Sequence, residues 1–326
     1  MKSVDVVIPN YNYGHYLRDC AGSVLSQGVD RLRVLIIDNA STDDSARIAS
    51  EIAASDPRIE LRLREVNMGP HASFNEGIDW ARSDYFLILC SDDFLAPGAL
   101  GSAIDLMEQR PDVHLTHGAT SFLLGDASFE ETSAQPAAWQ VMDGPSFLKD
   151  ICRSGRNYIS GPTAVVRTSV QKRIGHYNPE LTHTDDLEMW LRFGLHGSIA
   201  ATTRVQAAAR VHPFSQSATV SNLRQWSVEF EAAFTSFLTK DGASLPNSAE
   251  LLQSARRTLS DRAYWSAISL LCRGDPGWRK LFWRALQLRP SATILPPLSY
   301  LIYRKDATSL VKSSLSALGR RITRAA

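Results

Sequence analysis

Cysteine is scarce in this 326-residue chain, and no long apolar run interrupts it. Its four cysteines, Cys20, Cys90, Cys152 and Cys272, stand far apart and form no C-x-x-C pair. That spacing argues against a zinc knuckle or a dithiol motif and suits a reducing compartment with buried free thiols. No window offers the roughly 18–20 uninterrupted apolar residues of a membrane span. The nearest, residues 291–303, is shorter and carries a proline pair. The first residues run from Lys2 directly into VDVVIPNYN, without the apolar stretch and cleavage site of a secretory signal. A cytoplasmic protein is expected, with attachment to the inner face of the cell membrane left open. Charge of one sign is missing too: 35 basic against 34 acidic residues leave a net +1, so no global field calls for nucleic acid. The usual phosphate cradles are absent. There is no G-x-G-x-x-G after the first strand, no G-x-x-x-x-G-K-[ST] and no H-E-x-x-H, which weakens dehydrogenase and P-loop readings.

The length suits one large domain plus an appendage. Over the first hundred residues, predicted strands at Val4–Ile8, Arg33–Ile37, Ile59–Arg64 and Tyr85–Cys90 alternate with helices. These begin near Tyr16, at Thr42 (with Ser41 as N-cap) and at His71, the last running to Arg82. Such alternation predicts crossovers, a mostly parallel sheet and helices on both faces. Residues 113–124 and 163–167 read as further strands, 125–141 as a loop and 185–193 as a helix with Trp190 and Arg192 in support. Beyond about Phe214 the pattern turns helical, with Trp226, Phe230, Phe234 and Phe237 at helical spacing.

Ligands of an open parallel sheet bind beyond the carboxyl ends of its strands. Here those ends carry Asn10-Tyr11-Asn12, Asp38-Asn39-Ala40-Ser41, Asn67-Met68-Gly69 and Ser91-Asp92-Asp93. Paired carboxylates repel unless a cation lies between them, and oxygen ligands at a phosphate site favour Mg2+ or Mn2+. Each feature has a plainer reading. Asp93 suits a helix N-cap, Asp38 a strand-end cap, His212 a structural loop histidine, and Asp185-Asp186 the acids that stabilise a helix start.

The stretches VVIPNYNYGHYL, VLIIDNASTDDS, NMGPHASFNEG, FLILCSDDFLAPGAL, HTDDLEMWLRFGLHG and RVHPFSQS together resemble the family 2 glycosyltransferases of GT-A fold, in that family's order, over residues 1–215. The resemblance implies an α/β, Rossmann-like catalytic domain over 1–215 and leaves 216–326 as a helical, basic C-terminal domain. It implies inverting transfer from a nucleoside-diphosphate sugar, a UDP-sugar above others, to a hydroxyl of a glycan or lipid-linked acceptor, as in bacterial surface polysaccharide synthesis. By the same resemblance Pro9, Tyr11, Asp38, Asn67 and Asp92 hold the nucleotide, and Asp93 and His212 hold Mn2+ or Mg2+. Asp186 is the catalytic base, and Asn75, Gly161 and Asp185 line the substrate site. The chain departs from the family at Ala40, where Gly is frequent, at Phe74, where a phosphate-contacting Arg is frequent, and at Asp185, where Glu is frequent.

Two rival readings stay open: a nucleotidyltransferase that makes nucleotide-sugars, and a non-catalytic nucleotide-sugar binder. From Arg256 onward fourteen basic residues face three acidic ones, with Trp265, Trp278, Phe282 and Trp283 among them. This region suits either basic outer faces of a packed helical domain or a patch that docks on an anionic membrane surface.

Overall fold

Val4, Val6 and Ile8 alternate with Asp5 and Val7 in β1 (Ser3–Asn10), yet all five are buried. A strand buried on both sides needs a layer over each face of its sheet. On one face Val4, Val6 and Ile8 join Leu17, Cys20 and Val24 of α1 (Gly14–Leu25). The same core takes in Val34 and Ile36 of β2 (Arg31–Asp38), Ala49 and Ile52 of α2 (Ser45–Ser55), and Leu100, Ala103 and Ile104 of α4 (Ala99–Gln109). On the other face Val7 meets Gly77 of α3 (Pro70–Trp80). An added Cβ at Gly77 would lie 2.7 Å from Val7 Cγ1, so the absence of a side chain lets this helix seat on the sheet. The computed structural model of the protein describes residues 2–124, 138–212, 223–293 and 296–297.

The remaining strands are β3 (Ile59–Leu63), β4 (Tyr85–Ile88), β5 (Asp93–Leu95), β6 (Val113–Leu124), β7 (Trp139–Met142), β8 (Val165–Arg167) and β9 (Ser198–Val211). They form one nine-stranded sheet of order β3-β2-β1-β4-β8-β6-β9-β5, with β7 also against β9. Strands β3, β2, β1 and β4 are parallel, as are β6 and β9. β8 runs antiparallel to β4 and β6, and β5 and β7 run antiparallel to β9, so the far half is mixed. The register places Asn10 beside Asp38, and Asp93 beside Ala209. Further helices are α5 (Gly144–Ser154), α6 (Thr168–Ile174) and α7 (Asp185–Gly194).

Several boundaries differ from the sequence reading. The second helix starts at Ser45, after Asp44, because Ser41 is drawn back to Asp38 and caps nothing. The third helix stops at Trp80, because the amides of Arg82 and Ser83 donate to the fully buried Asp5 Oδ2 at 2.6 and 2.8 Å and turn the chain into β4. Trp139–Met142, expected as loop, is strand β7; residues 125–137 of that expected loop lie outside the described residues. β9 escaped notice because its buried positions are small, with Ala200, Ala207 and Ala208 giving a weak apolar alternation.

The chain divides into two compact units. The first comprises Met1–Phe147, Asn157–Glu180 and Asp185–Ser215; the second comprises Leu148–Arg156, Leu181–Thr184 and Gln216–Ala326. The described part of the second is built on α8 (Leu223–Thr239), α9 (Ser248–Arg273) and α10 (Trp278–Leu288). Phe234 and Phe237 are fully buried, and Ala263, Ala267, Leu281 and Ala285 form a small core between α9 and α10. Several basic residues of this unit are spent internally: Arg256 and Arg284 both donate to Glu231. No described helix is long and apolar enough to cross a membrane.

Candidate active site

The ends of β1 and β2 are tied into one polar knot. Asp38 Oδ1 accepts from Asn10 Nδ2 at 2.8 Å and from Ser41 Oγ at 2.6 Å, and Asp38 Oδ2 accepts from the Ser41 amide at 3.0 Å. Ser41 Oγ in turn accepts from the Asn12 amide at 2.9 Å, and Asn12 Oδ1 accepts from the Thr42 amide at 2.7 Å. Asn12 and Ala40 hold positive φ angles of 59° and 61° to make these turns. Asp38 is therefore a buried strand-end acceptor with three donors already in place, which leaves it room for one more. Beside it Pro9 is half-buried and Tyr11 is 42% exposed. Asn67 is exposed, but its Oδ1 accepts from Asn39 Nδ2 at 2.7 Å and from the Gly69 amide at 2.8 Å. Arg64, which the sequence reading passed over, donates to Asn39 Oδ1 at 3.0 Å and is held by Glu76.

At the end of β4 the chain turns through Cys90, and the Asp93 amide donates to the Cys90 carbonyl at 2.9 Å. Asp93 opens β5 and is not a helix N-cap, since α4 begins only at Ala99. His212 Nε2 lies 3.1 Å from Asp92 Oδ2, with both side chains largely buried. The histidine thus touches Asp92. Tyr13 meets the His212 ring edge-on at 5.1 Å, and burial followed by Asp92 pushes its hydroxyl up to about 12. The guanidinium of Arg210 lies 4.7 Å over the Tyr16 ring. Asp93 is pushed well above the usual carboxylate range by burial and then by Asp92, with an amide of Arg210 opposing. A nearby cation would relieve that penalty. Among the described residues no three His, Cys, Asp or Glu side chains converge as a metal cluster. Of the three residues at this strand end, His212 is in contact with Asp92, and Asp93 is the next residue in the chain.

The second acid pair opens α7. Asp186 Oδ2 accepts from Asn157 Nδ2 at 2.7 Å and Oδ1 from the Leu187 amide at 2.7 Å. Burial, then the neighbouring Asp185, raise Asp186 to about 7; the Leu187 amide and Asn157 oppose them. His71, in the first turn of α3, places Nε2 3.1 Å from Asp185 Oδ2. Asn75 clamps the backbone of Tyr177, accepting from its amide at 2.8 Å and donating to its carbonyl at 3.3 Å. Gly161 opens a 3-10 turn, Gly161–Thr163, packed chiefly against β9 and β6 and also touching β5 and β4; an added Cβ there would meet nothing within 4 Å.

Acids from both pairs lie within electrostatic reach of one thiol. The Cys90 thiol is pushed far up by burial, then by Asp92 and Asp93 and, more weakly, by Asp185. Two carboxylate pairs, one holding a group raised to about 7, suit polar chemistry. The model of the Glycosyl transferase family 2 matches residues 5–174, about half the chain and most of the first unit.

The chain belongs to glycosyl transferase family 2. Its fold is GT-A α/β with a helical C-terminal region. An uncharacterized glycosyltransferase of Haemophilus influenzae is 35% identical over 122 residues, 37% of this chain and 48% of that protein. Chondroitin synthase of Escherichia coli is 38% identical over 112 residues, 34% of this chain and 16% of that protein. This chain thus spans about half of the first relative and less of the second. Among solved structures, S. aureus TarS 1-349 in complex with UDP superposes with a TM-score of 0.63 at 17% identity, covering 97% of this chain and 89% of that one. The mannosyltransferase PcManGT from Pyrobaculum calidifontis, in complex with GDP-Man and Mn2+, gives 0.57 at 15% identity, covering 98% and 86%.

Proposed function

We propose that this family 2 enzyme is an inverting, metal-dependent glycosyltransferase that takes its sugar from a nucleoside-diphosphate sugar. The observation that carries the reading is Asp186: a carboxyl that burial and the neighbouring Asp185 raise to about 7, held by the Asn157 amide at 2.7 Å. Such a group accepts a proton at neutral pH and can give it up to solvent afterwards. Asp186 takes the proton of the acceptor hydroxyl as its oxygen attacks the anomeric carbon from the face opposite the diphosphate. The bond from that carbon to the phosphate oxygen breaks, and the configuration inverts. Tyr11, Pro9, Asp38, Asn67 and Asp92 bound the nucleotide, with Asp38 accepting from a base N–H at its remaining position. Gly161, Asn75 and Asp185 border the sugar and acceptor. Asp93 and His212, with Asp92 beside them, would hold Mn2+ or Mg2+, which supplies charge neutralisation at the leaving diphosphate.

The TarS structure with UDP and the PcManGT structure with GDP-Man and Mn2+ support a nucleotide-sugar donor and a divalent ion by likeness of fold. A UDP-sugar is favoured because a carboxylate such as Asp38 matches an imide N–H. Residues 1–215 would form the catalytic domain and 216–326 an accessory helical one. The acceptor is a hydroxyl of a glycan or a lipid-linked glycan. For the lipid-linked case the exposed stripe of Arg279, Lys280 and Trp283 on α10 suits the headgroup level of an anionic membrane.

The test pairs donor binding with transfer. Thermal shifts are read with UDP- and GDP-sugars, with and without Mn2+, and the stabilising donor is then used for transfer by the wild type and Asp186→Asn. The expected outcome is metal-dependent stabilisation by one donor and a loss of about 10²–10⁴-fold in transfer by the variant. Near-normal transfer by a folded Asp186→Asn protein would overturn the reading.

A further inference from the structure

The acid pair at the start of α7 has a neighbour that the family resemblance does not assign. His71 Nε2 lies 3.1 Å from Asp185 Oδ2, with side-chain exposures of 13% and 12%. The approach is angled, so Nε2 has contact with the carboxylate without a well-aligned hydrogen bond. The ring is held from behind. Phe74, one turn along α3, meets it edge-on at 6.0 Å, and Phe74 in turn packs on Tyr177 at 5.5 Å. Tyr177 is fixed by the two-bond clamp from Asn75. Thus His71 alone of this helix face touches the acid pair, while Phe74 and Asn75 fix the ring and segment beside it, and the aromatic ring at position 74 supports a histidine instead of offering a cation itself.

We infer that His71 is a positioning residue for the reaction: by compensating the charge of Asp185 it sets how readily the adjacent Asp186 ionises. The inference rests on the reading of Asp186 as the base. Among the described residues the following groups face this pair. From α3 there is His71. From α7 there are Asp185 and Asp186 themselves, with the buried Glu188–Arg192 pair one turn on. From the segment after α6 there is the Tyr177 hydroxyl, itself pushed up by burial and by both acids. From the end of β4 there is the Cys90 thiol. Asn157 is neutral. Among these, His71 and Arg192 alone carry or can carry positive charge, and Arg192 is bound to Glu188 and to the carbonyls of Ile174 and His176. Among the described residues, removing the imidazole therefore leaves Asp185 with no cationic group in contact, and a bare like charge disfavours ionisation of its neighbour.

The test needs no substrate. The full chain is labelled with 13C-aspartate, the Asp186 carboxyl signal is assigned by its absence in Asp186→Asn, and its titration is followed over roughly pH 5–9. Wild type, His71→Gln and His71→Lys are compared, with thermal melting as the check on folding. The expected result is an upward move of about 0.5–1 pH unit in His71→Gln and a downward move in His71→Lys, a pattern of opposite sign that loss of packing alone does not give. If His71→Gln fails to fold, the sign of the His71→Lys shift decides. An Asp186 titration that stays in place in the folded variants would overturn the inference. Failure of the base assignment shows separately, as retained release of nucleoside diphosphate by Asp186→Asn.

Discussion

Asn157 donates its side-chain amide to Asp186 Oδ2 at 2.7 Å. It is the one side-chain donor that opposes the burial of that carboxyl, alongside the Leu187 amide. Asn157→Ala removes a bond that favours the ionised form, so Asp186 will titrate still higher. In an assay of transfer against pH, the acidic limb should move up by about 0.5–1 unit while the plateau at high pH changes little. An unmoved limb would detach Asn157 from the base.

The same carboxyl leaves a signature in stability. Its folded-state value, about 7, is above its ordinary value of 3.8, so the folded protein binds the proton more tightly than the unfolded chain. The stabilising contribution is complete below the unfolded value and is lost as pH rises through about 7. Asp186→Asn has no charge to bury. Its melting temperature should therefore exceed that of the wild type at about pH 8, by the equivalent of roughly 1–3 kcal/mol, and the gap should narrow towards about pH 5. An equal gap at both ends would place the ionisation penalty elsewhere.

Ala40 carries a φ of +61° in the turn after β2. A side chain there costs about 1–2 kcal/mol, and glycine relieves it at the expense of unfolded-state entropy. Ala40→Gly should raise stability by about 0.5–1 kcal/mol in urea unfolding, with donor binding retained. A destabilised variant would mean that the Cβ packs to advantage.

Divalent ions should matter to binding before they matter to rate. With EDTA present, the thermal shift caused by UDP should shrink towards that of buffer alone, and Mn2+ should restore it. Asp93→Asn should lose the Mn2+-dependent part and melt no lower than the wild type without metal, because its carboxyl is buried against Asp92 at a cost. A metal-independent UDP shift in both proteins would sink the assignment of this site to a cation.

How much of this was legible in the chain differs by element. The first four strands could be read because their apolar runs are long and each ends in turn residues, and the same ends supplied Asp38, Asp92 and Asp93 as candidates. β9 could not be read, because alanines carry little periodic signal and its pairing partners lie far away in sequence. Ser41 looks like a helix cap by its spacing; only the pairing of Asn10 with Asp38 reveals that the hydroxyl has a better acceptor three residues back. His71 and Asn157 lay beyond sequence reasoning for a similar reason. Each touches an acid more than a hundred or nearly thirty positions away, and nothing local marks either one. The one signal available was negative: aromatic Phe74 where a cation is common, on the same helix face as a histidine.

Gly77 gives the fold an unexpected kind of fragility. It lies one helical turn past Ser73 and two residues after Asn75, and its Cα sits so close to Val7 that a methyl group would come within 2.7 Å of that buried side chain. The helix it belongs to also carries His71. Even alanine at position 77 would have to lift α3 from the sheet, and His71 and Asn75 would travel with it. A genetic screen for lost transfer would then recover position 77 alongside the acids, although it meets no substrate, and second-site suppressors would be expected at Val7 as smaller side chains.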